Sequence, residues 1–221
     1  MPKVFIGVGH GGSDPGAVAN NTKEKDLNLS IALACRDMLE KHGVSVKMSR
    51  SKDENDPIGE EVKECNAYAP DLAVDIHNNA GGGDGGEVFY HHGGGKGKIL
   101  AENILAEIVK VGQNSRGIKT RTNSSGKDYY AFIRNTNCPA VIVECAFVDN
   151  ASDLQILATE SDRQSMGVAI AKGILKTLGV EIQGERGHWK VQVGAYLYRE
   201  NAEAMHRKLK AVGFDAFIVK E

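Results

Sequence analysis

The sequence lacks a long apolar run and any large excess of charge of one sign. None of its apolar stretches reaches the roughly 20 residues that a helix needs to cross a bilayer. Its 27 Lys and Arg residues nearly balance its 29 Asp and Glu residues, for a formal net charge of -2. This balance gives no electrostatic reason to expect nucleic acid or an anionic membrane as a partner. We therefore expect a globular protein that binds no nucleic acid and no membrane.

Two further features are missing from the sequence: a leader segment and paired cysteines. The N-terminal residues MPKVFIGVGH enter an apolar run directly, without the charged, apolar and small-residue stages of a signal peptide. This predicts that the protein is made and folded in the cytoplasm. The four cysteines show no paired metal-site spacing, and the predicted compartment favours free thiols. These predicted thiols are Cys35, Cys65, Cys138 and Cys145.

Short apolar runs alternate with helical patterns over residues 1–179. The predicted strands are KVFIGVG, VSVKMS, DLAVDIH, GEVFYHH and PAVIVECAFVDN. The predicted helices are KEKDLNLSIALACRDMLEKHG, GEEVKECNAYA, KGKILAENILAEIVKVG and a long segment from Ser161 to Leu178. Strands that are apolar throughout and alternate with helices are typical of parallel sheets covered on both faces. We therefore predict an α/β domain with a mainly parallel sheet, in which GEVFYHH is an edge strand.

The C-terminal part of the sequence predicts a second, smaller unit. Residues 180–187 form a polar linker that contains glycine, and residues 188–221 have a strand-helix-strand pattern. A β-α-β unit of this size buries too little apolar surface to be stable alone. We therefore expect it to pack against the first domain or against a second copy of the chain.

Three predicted strands end in side chains that bind metals or transfer protons. His10 follows the first strand, His77 ends the third, and Glu144 lies in a later one. Side chains at the carboxyl ends of parallel strands converge at one edge of the sheet. Catalytic zinc commonly takes two histidines and a carboxylate and keeps one position for water. Glu24, at the start of the first helix, completes that ligand set, and Glu144 remains as the general base.

Other interpretations of these residues are less well supported. The glycines of GVGHGG match a dinucleotide-binding loop, but Pro15 and Gly16 interrupt the helix that should follow it directly. Asp75 interrupts an apolar strand, either as a partner of a ligand or at a helix junction. His91 and His92 precede a glycine run and are predicted to be exposed loop residues.

Four linked motifs resemble the zinc-dependent N-acetylmuramoyl-L-alanine amidases: GVGHGGSDPGA, KEKDLNLSIA, VDIHNNA and PAVIVECAFVDN. The resemblance implies a twisted sheet flanked by helices and hydrolysis of the amide between N-acetylmuramic acid and L-alanine in peptidoglycan. It implies Zn²⁺ ligation by His10, Glu24 and His77, catalysis by Glu144, and a weaker role for Asn79 near the substrate. The sequence departs from the family pattern before His10, where Asp-Pro-Gly is usual, and directly after His77, where alanine is usual.

The C-terminal unit resembles the first half of a SPOR domain, a peptidoglycan-binding module that repeats strand-helix-strand twice. With one repeat in this sequence, two chains could complete a module as a homodimer. Without a leader, the protein would reach the cell wall only after release, as a phage endolysin or as an autolysin of a lysing mother cell. The alternatives are another zinc peptidase or deacetylase of the cell wall, and a wall-binding protein on an inactive amidase scaffold.

Overall fold

A six-stranded sheet organises the first of two units in the computed structural model, which describes residues 1–182, 193–214 and 216–219. The units are Met1–Gln183 and Gly184–Glu221. The strands of the sheet are β1 (Lys3–Val8), β4 (Ser45–Met48), β5 (Leu72–Asn79), β6 (Gly86–Tyr90), β7 (Ser115–Lys119) and β8 (Ala140–Phe147), and a small hairpin contains β2 (Val18–Ala19) and β3 (Thr22–Lys23). The helices of this unit are α1 (Glu24–Lys41), α2 (Ile58–Tyr68), α3 (Lys96–Lys110), α4 (Ala131–Asn135), α5 (Ala151–Gln155) and α6 (Glu160–Leu178).

The sheet order is β4-β1-β5-β8-β6-β7. Neighbouring strands are parallel except β6 and β8, which are antiparallel. This confirms the mainly parallel α/β fold. The prediction that GEVFYHH is an edge strand is wrong, because β7 pairs with β6 and forms that edge. The β7 segment SRGIK carries no apolar alternation, because neither of its faces is buried.

Apolar side chains on the two faces of the sheet form two separate cores. On one face, Val4, Ile6 and Val8 of β1 join apolar residues of α1, α3 and α6. On the other face, Phe5 joins apolar residues of α2 and α4. The alternation along β1 is the two-residue period of a strand buried on both sides. The predicted placement of helices on both faces is confirmed.

Two glycines of α6 allow close packing between helices. A Cβ added to Gly167 would lie 2.3 Å from the carbonyl oxygen of Ile31 in α1. A Cβ added to Gly173 would lie 2.5 Å from the Cα of Ile104 in α3. Both separations are too short for a side chain, so at these two glycines the backbone of α6 packs directly against α1 and α3.

The second unit contains one helix among its described residues, α7 (Arg199–Ala211). The helix of the predicted strand-helix-strand pattern is therefore present. The first predicted strand falls almost entirely on residues outside the described part of the chain. Residues 216–219 carry the end of the last predicted strand but form none. A strand needs the backbone groups of a neighbouring strand as hydrogen-bond partners, and the described residues of this unit offer none.

The four cysteines are free, as predicted. Cys35, Cys65 and Cys145 are buried among apolar residues, and Cys138 is half-buried. Over the described residues, no helix is both long enough and apolar enough to span a membrane.

Candidate metal centre

The turn after β1 places His10 against the end of β5. His10 has a φ of 64°, in the left-handed region that non-glycine residues seldom adopt. A Cβ on the preceding Gly9 would lie 2.2 Å from Cε1 of His77, so only glycine lets that ring approach the turn. Gly9 therefore serves the packing of His77 against the turn that carries His10, and the dinucleotide-loop interpretation finds no support in the geometry.

Glu24, the first residue of α1, lies between the two imidazoles. Its Oε2 atom is 3.1 Å from Nε2 of His10, and its Oε1 atom is 3.0 Å from Nδ1 of His77. One ligand atom from each of the three residues lies within 4.8 Å of the other two. The backbone N–H of Ala17 donates to Oε2 at 2.9 Å, and that of Asn78 donates to Oε1 at 3.1 Å. The loop, the helix start and the strand end thus meet at one carboxylate.

The carboxyl of Glu24 is held as an anion although it is buried. Burial alone would favour the protonated form. Hydrogen bonding to His10 and to His77, with the charge of His77, outweighs burial and holds the pKa of Glu24 well below its usual range. A carboxylate that stays ionised is the form that binds a metal.

Each histidine uses its other ring nitrogen to contact a second carboxylate. Nδ1 of His10 is 2.8 Å from Oδ2 of Asp14, and Nε2 of His77 is 3.1 Å from Oδ2 of Asp75. When these nitrogens donate to the carboxylates, the nitrogens that face Glu24 have free lone pairs. Histidines that bind metals are commonly oriented in this way.

Glu144 lies beside this group in the middle of the sheet. It is opposite His77 in the register of β5 and β8, and opposite Glu87 in the register of β8 and β6. Its Oε2 atom is buried and has no hydrogen-bond partner among the described residues. Burial raises the pKa of Glu144 to about 7, and the negative charge of Glu24 acts in the same direction. A carboxyl with this pKa exchanges protons near neutral pH.

Comparison with known proteins gives the family of the chain. The family model for N-acetylmuramoyl-L-alanine amidase matches residues 4–176, and the SPOR domain model matches residues 169–221. The chain belongs to the N-acetylmuramoyl-L-alanine amidase family. The resemblance noted in its four motifs is therefore confirmed, as is the SPOR resemblance of the C-terminal part.

Individual relatives agree with this assignment. The sporulation-specific N-acetylmuramoyl-L-alanine amidase of Bacillus subtilis (strain 168) is 34% identical over 223 residues, covering 99% of this chain and 85% of the relative. The endolysin of Bacillus phage SPP1 is 33% identical over 187 residues, covering 80% of this chain and 66% of the endolysin. The structure of Cwp6 from Clostridium difficile matches with a TM-score of 0.79 at 41% identity, covering 80% of this chain and 29% of Cwp6.

Asn79 of the amidase lies two residues beyond His77, at the end of β5, and forms a hydrogen bond with Glu87. Its Nδ2 donates to Oε1 of Glu87 at 3.1 Å, and its Oδ1 accepts from the backbone N–H of Ala80 at 2.8 Å. Glu87 in turn forms ion pairs with Arg116 and Lys119 of β7. Asn79 is thus hydrogen-bonded to a group of charged side chains, formed by Glu87, Arg116 and Lys119, on the Glu144 side of the centre.

Several residues that shape this amidase centre carry no clear signal in the sequence. Asp14 stands four residues after His10 among turn-forming residues, where a carboxylate that merely caps a turn is equally expected. The side chain of Asn28 donates to the carbonyl of Gly9 at 2.9 Å and accepts from Nδ2 of Asn78 at 2.8 Å. Arg50 also donates to the Gly9 carbonyl, at 3.2 Å. Asn28 and Arg50 thus hold the turn around His10 from segments that are distant from it in the sequence.

Proposed function

We propose that this amidase hydrolyses the amide between N-acetylmuramic acid and L-alanine in peptidoglycan, with Zn²⁺ bound by His10, Glu24 and His77. The observation that carries the proposal is the convergence of three ligand atoms within 4.8 Å beside the buried carboxyl of Glu144, one oxygen of which has no hydrogen-bond partner over the described residues. Membership of the amidase family supports the reaction, and the side-chain geometry supports the assignment of roles.

The donor set fits zinc. Two imidazole nitrogens and a carboxylate are a known ligand set of catalytic zinc, which leaves the fourth position for water or substrate. When bound, zinc would polarise the scissile carbonyl and lower the pKa of the attacking water. Asp14 and Asp75 would keep the two imidazole rings oriented, which matters because ligand orientation affects both affinity and activity.

Glu144 would transfer the proton. Its buried Oε2 atom has no hydrogen-bond partner in the part of the chain that the structure describes, so it can accept a proton from the attacking water. With a pKa of about 7, the same carboxyl can return the proton to the nitrogen of the departing L-alanine. Asn79 and Glu87, beside Glu144, would contact the sugar or the stem peptide.

A zinc peptidase or a deacetylase would use the same side chains, so the products decide between these activities. Purified peptidoglycan should be incubated with the enzyme, and the products should be separated and their masses measured by mass spectrometry. We expect stem peptides with a free L-alanine amino terminus and intact glycan strands. Cleavage inside the stem peptide would indicate a peptidase, and release of acetate would indicate a deacetylase.

Metal dependence needs a separate measurement. A chelator should abolish the release of stem peptides, and added Zn²⁺ should restore it, because the proposed reaction uses the ion to polarise the carbonyl and to activate the water. Unchanged activity after complete removal of metal, checked by elemental analysis, would contradict the zinc proposal while leaving the amidase assignment intact.

We also propose that the C-terminal unit, predicted to span residues 188–221, binds peptidoglycan and pairs with a second copy of the chain. The match to the SPOR domain supports wall binding. The exposed apolar side chains of the unit support pairing, since large exposed apolar patches commonly mark interfaces. Among the most exposed of them are Leu197, Val212, Phe214 and Phe217.

A further inference from the structure

A second cluster of metal-binding side chains lies outside the candidate metal centre, at the far end of β6. It consists of His91, His92 and Asp128, which we call the His91 cluster. One ligand atom from each residue lies within 4.8 Å of the other two. None of these residues belongs to the centre formed by His10, Glu24 and His77.

The register of the sheet separates the two groups. Glu87 is opposite Glu144, whereas Tyr90 is opposite Val141. His91 is four residues beyond Glu87 along the chain, which corresponds to about 13 Å at the usual rise of a strand. An ion bound at the His91 cluster would not share ligands with the candidate catalytic centre.

Asp128 provides a fixed point in the cluster. Its side chain is only 3% exposed. Its Oδ1 atom accepts from the backbone N–H of His92 at 2.9 Å, which leaves Oδ2 for the two rings. Nε2 of His91 is 2.9 Å from Oδ2, and Nδ1 of His92 is 2.8 Å from it. A buried carboxylate thus faces two imidazole nitrogens of residues that lie in an exposed turn.

The two histidines are arranged for joint ligation. Their rings are stacked, with centroids 4.6 Å apart and planes inclined by 26°. Their side chains are 51% and 44% exposed, so further coordination positions would be open to water. One contact opposes ligation: the backbone N–H of Gly93 donates to Nδ1 of His91 at 3.0 Å. This N–H lies in an exposed glycine turn, where a water molecule can accept its hydrogen bond in place of the imidazole nitrogen.

We propose that the His91 cluster is a second site for a divalent transition-metal ion such as Zn²⁺ or Ni²⁺. Imidazole and carboxylate ligands suit these ions. Ligand atoms around tetrahedral zinc are about 3.3 Å apart, given bond lengths of about 2 Å. The present N–O separations of 2.8 and 2.9 Å therefore need to widen by only about half an ångström. The ion would join the turn after β6 to the segment that precedes α4.

The test is a count of bound ions in the full chain. Metal-free protein is dialysed against Zn²⁺ in modest excess, and bound zinc is measured by elemental analysis. We expect the His91→Ala/His92→Ala variant to bind one ion fewer per chain than the wild type. The His42→Ala variant removes a histidine from outside both groups and should bind as many ions as the wild type. An equal count in the wild type and the double variant overturns the proposal.

A second double variant distinguishes failure of the His91 cluster proposal from failure of the proposed catalytic centre. His10→Ala/His77→Ala should lose a different ion and should retain the one at the His91 cluster. If that variant loses no ion, the proposed catalytic centre fails while the His91 cluster stands. Thermal unfolding with and without Zn²⁺ gives a second readout: this variant should still be stabilised by zinc, and adding His91→Ala and His92→Ala to it should remove that stabilisation. Zinc stabilisation that survives all four substitutions would contradict a site at the His91 cluster.

Discussion

At the scale of single residues, the proposed role of Glu144 is open to a direct test. Glu144→Gln keeps the size of the side chain but cannot accept a proton from water, so we expect the release of stem peptides to fall by about 10²- to 10⁴-fold. Zinc content should not change, because Glu144 is not one of the proposed ligands. Glu102→Gln, an exposed change in α3, should keep full activity. Near-normal activity in Glu144→Gln would exclude Glu144 as the general base.

Asp75 is expected to act through His77. In Asp75→Asn the partner of Nε2 loses its negative charge, so His77 becomes a weaker ligand and the affinity for Zn²⁺ should fall by about 10- to 100-fold. Competition with a coloured chelator measures this affinity. Asp37→Asn, an exposed change in α1, is the matched control. Equal affinities in the two variants would show that Asp75 does not tune the ligand.

The site residues that could be predicted from the sequence are polar residues that stand in or directly after apolar strands. His10, His77 and Glu144 follow or interrupt apolar strands, where burial of a polar group costs free energy unless a hydrogen bond, a charge or a metal offsets it. The structure brings all three together with Glu24. Asp14 could not be predicted, because its distance from His10 in space depends on the left-handed turn and on the side chains that hold it.

At the scale of elements, the packing of α6 on α1 depends on Gly167. In Gly167→Ala the new Cβ would lie 2.3 Å from the carbonyl of Ile31, so one helix must shift. We expect the free energy of unfolding to fall by about 1–3 kcal/mol, the usual range for overpacking, although alanine favours helix formation. Chemical denaturation measures this change.

Gly59→Ala in α2 is the control, because a Cβ at that position meets nothing within 4 Å. It should be neutral or stabilising by up to about 1 kcal/mol, since alanine is a better helix former than glycine. If Gly167→Ala is as well tolerated as Gly59→Ala, the close approach of α6 and α1 does not limit stability.

Elements with a clear apolar pattern were predictable, and the short elements β7 and α4, which lack one, were not. The apolar stripe of α1 and the mostly apolar runs of β5 and β8 determine both their type and their burial. β7 and α4 have five residues each, too few for a period to show. Their place depends on neighbours: β7 pairs along β6, and α4 covers the face of the sheet that holds Phe5.

At the scale of the whole molecule, the two units differ in how they bury apolar surface. The first encloses two cores, one on each face of its sheet. The second has a helix with no buried residue and several exposed apolar side chains, among them Leu197 at 90% and Phe217 at 70% exposure. Because the described residues of this unit bury so little apolar surface, we expect the unit to need an additional interface to be stable.

The proposed homodimer supplies that interface, and it predicts different masses for the full chain and for a version that ends at Ile182. Sedimentation velocity should show a dimer for the full chain, because pairing buries the apolar side chains of the second unit. The shorter version should be a monomer that still releases stem peptides, since His10, Glu24, His77 and Glu144 all lie in the first unit. It should also bind insoluble peptidoglycan more weakly than the full chain. Monomeric masses for both versions would exclude pairing through the second unit, and equal retention on peptidoglycan would exclude its role in wall binding.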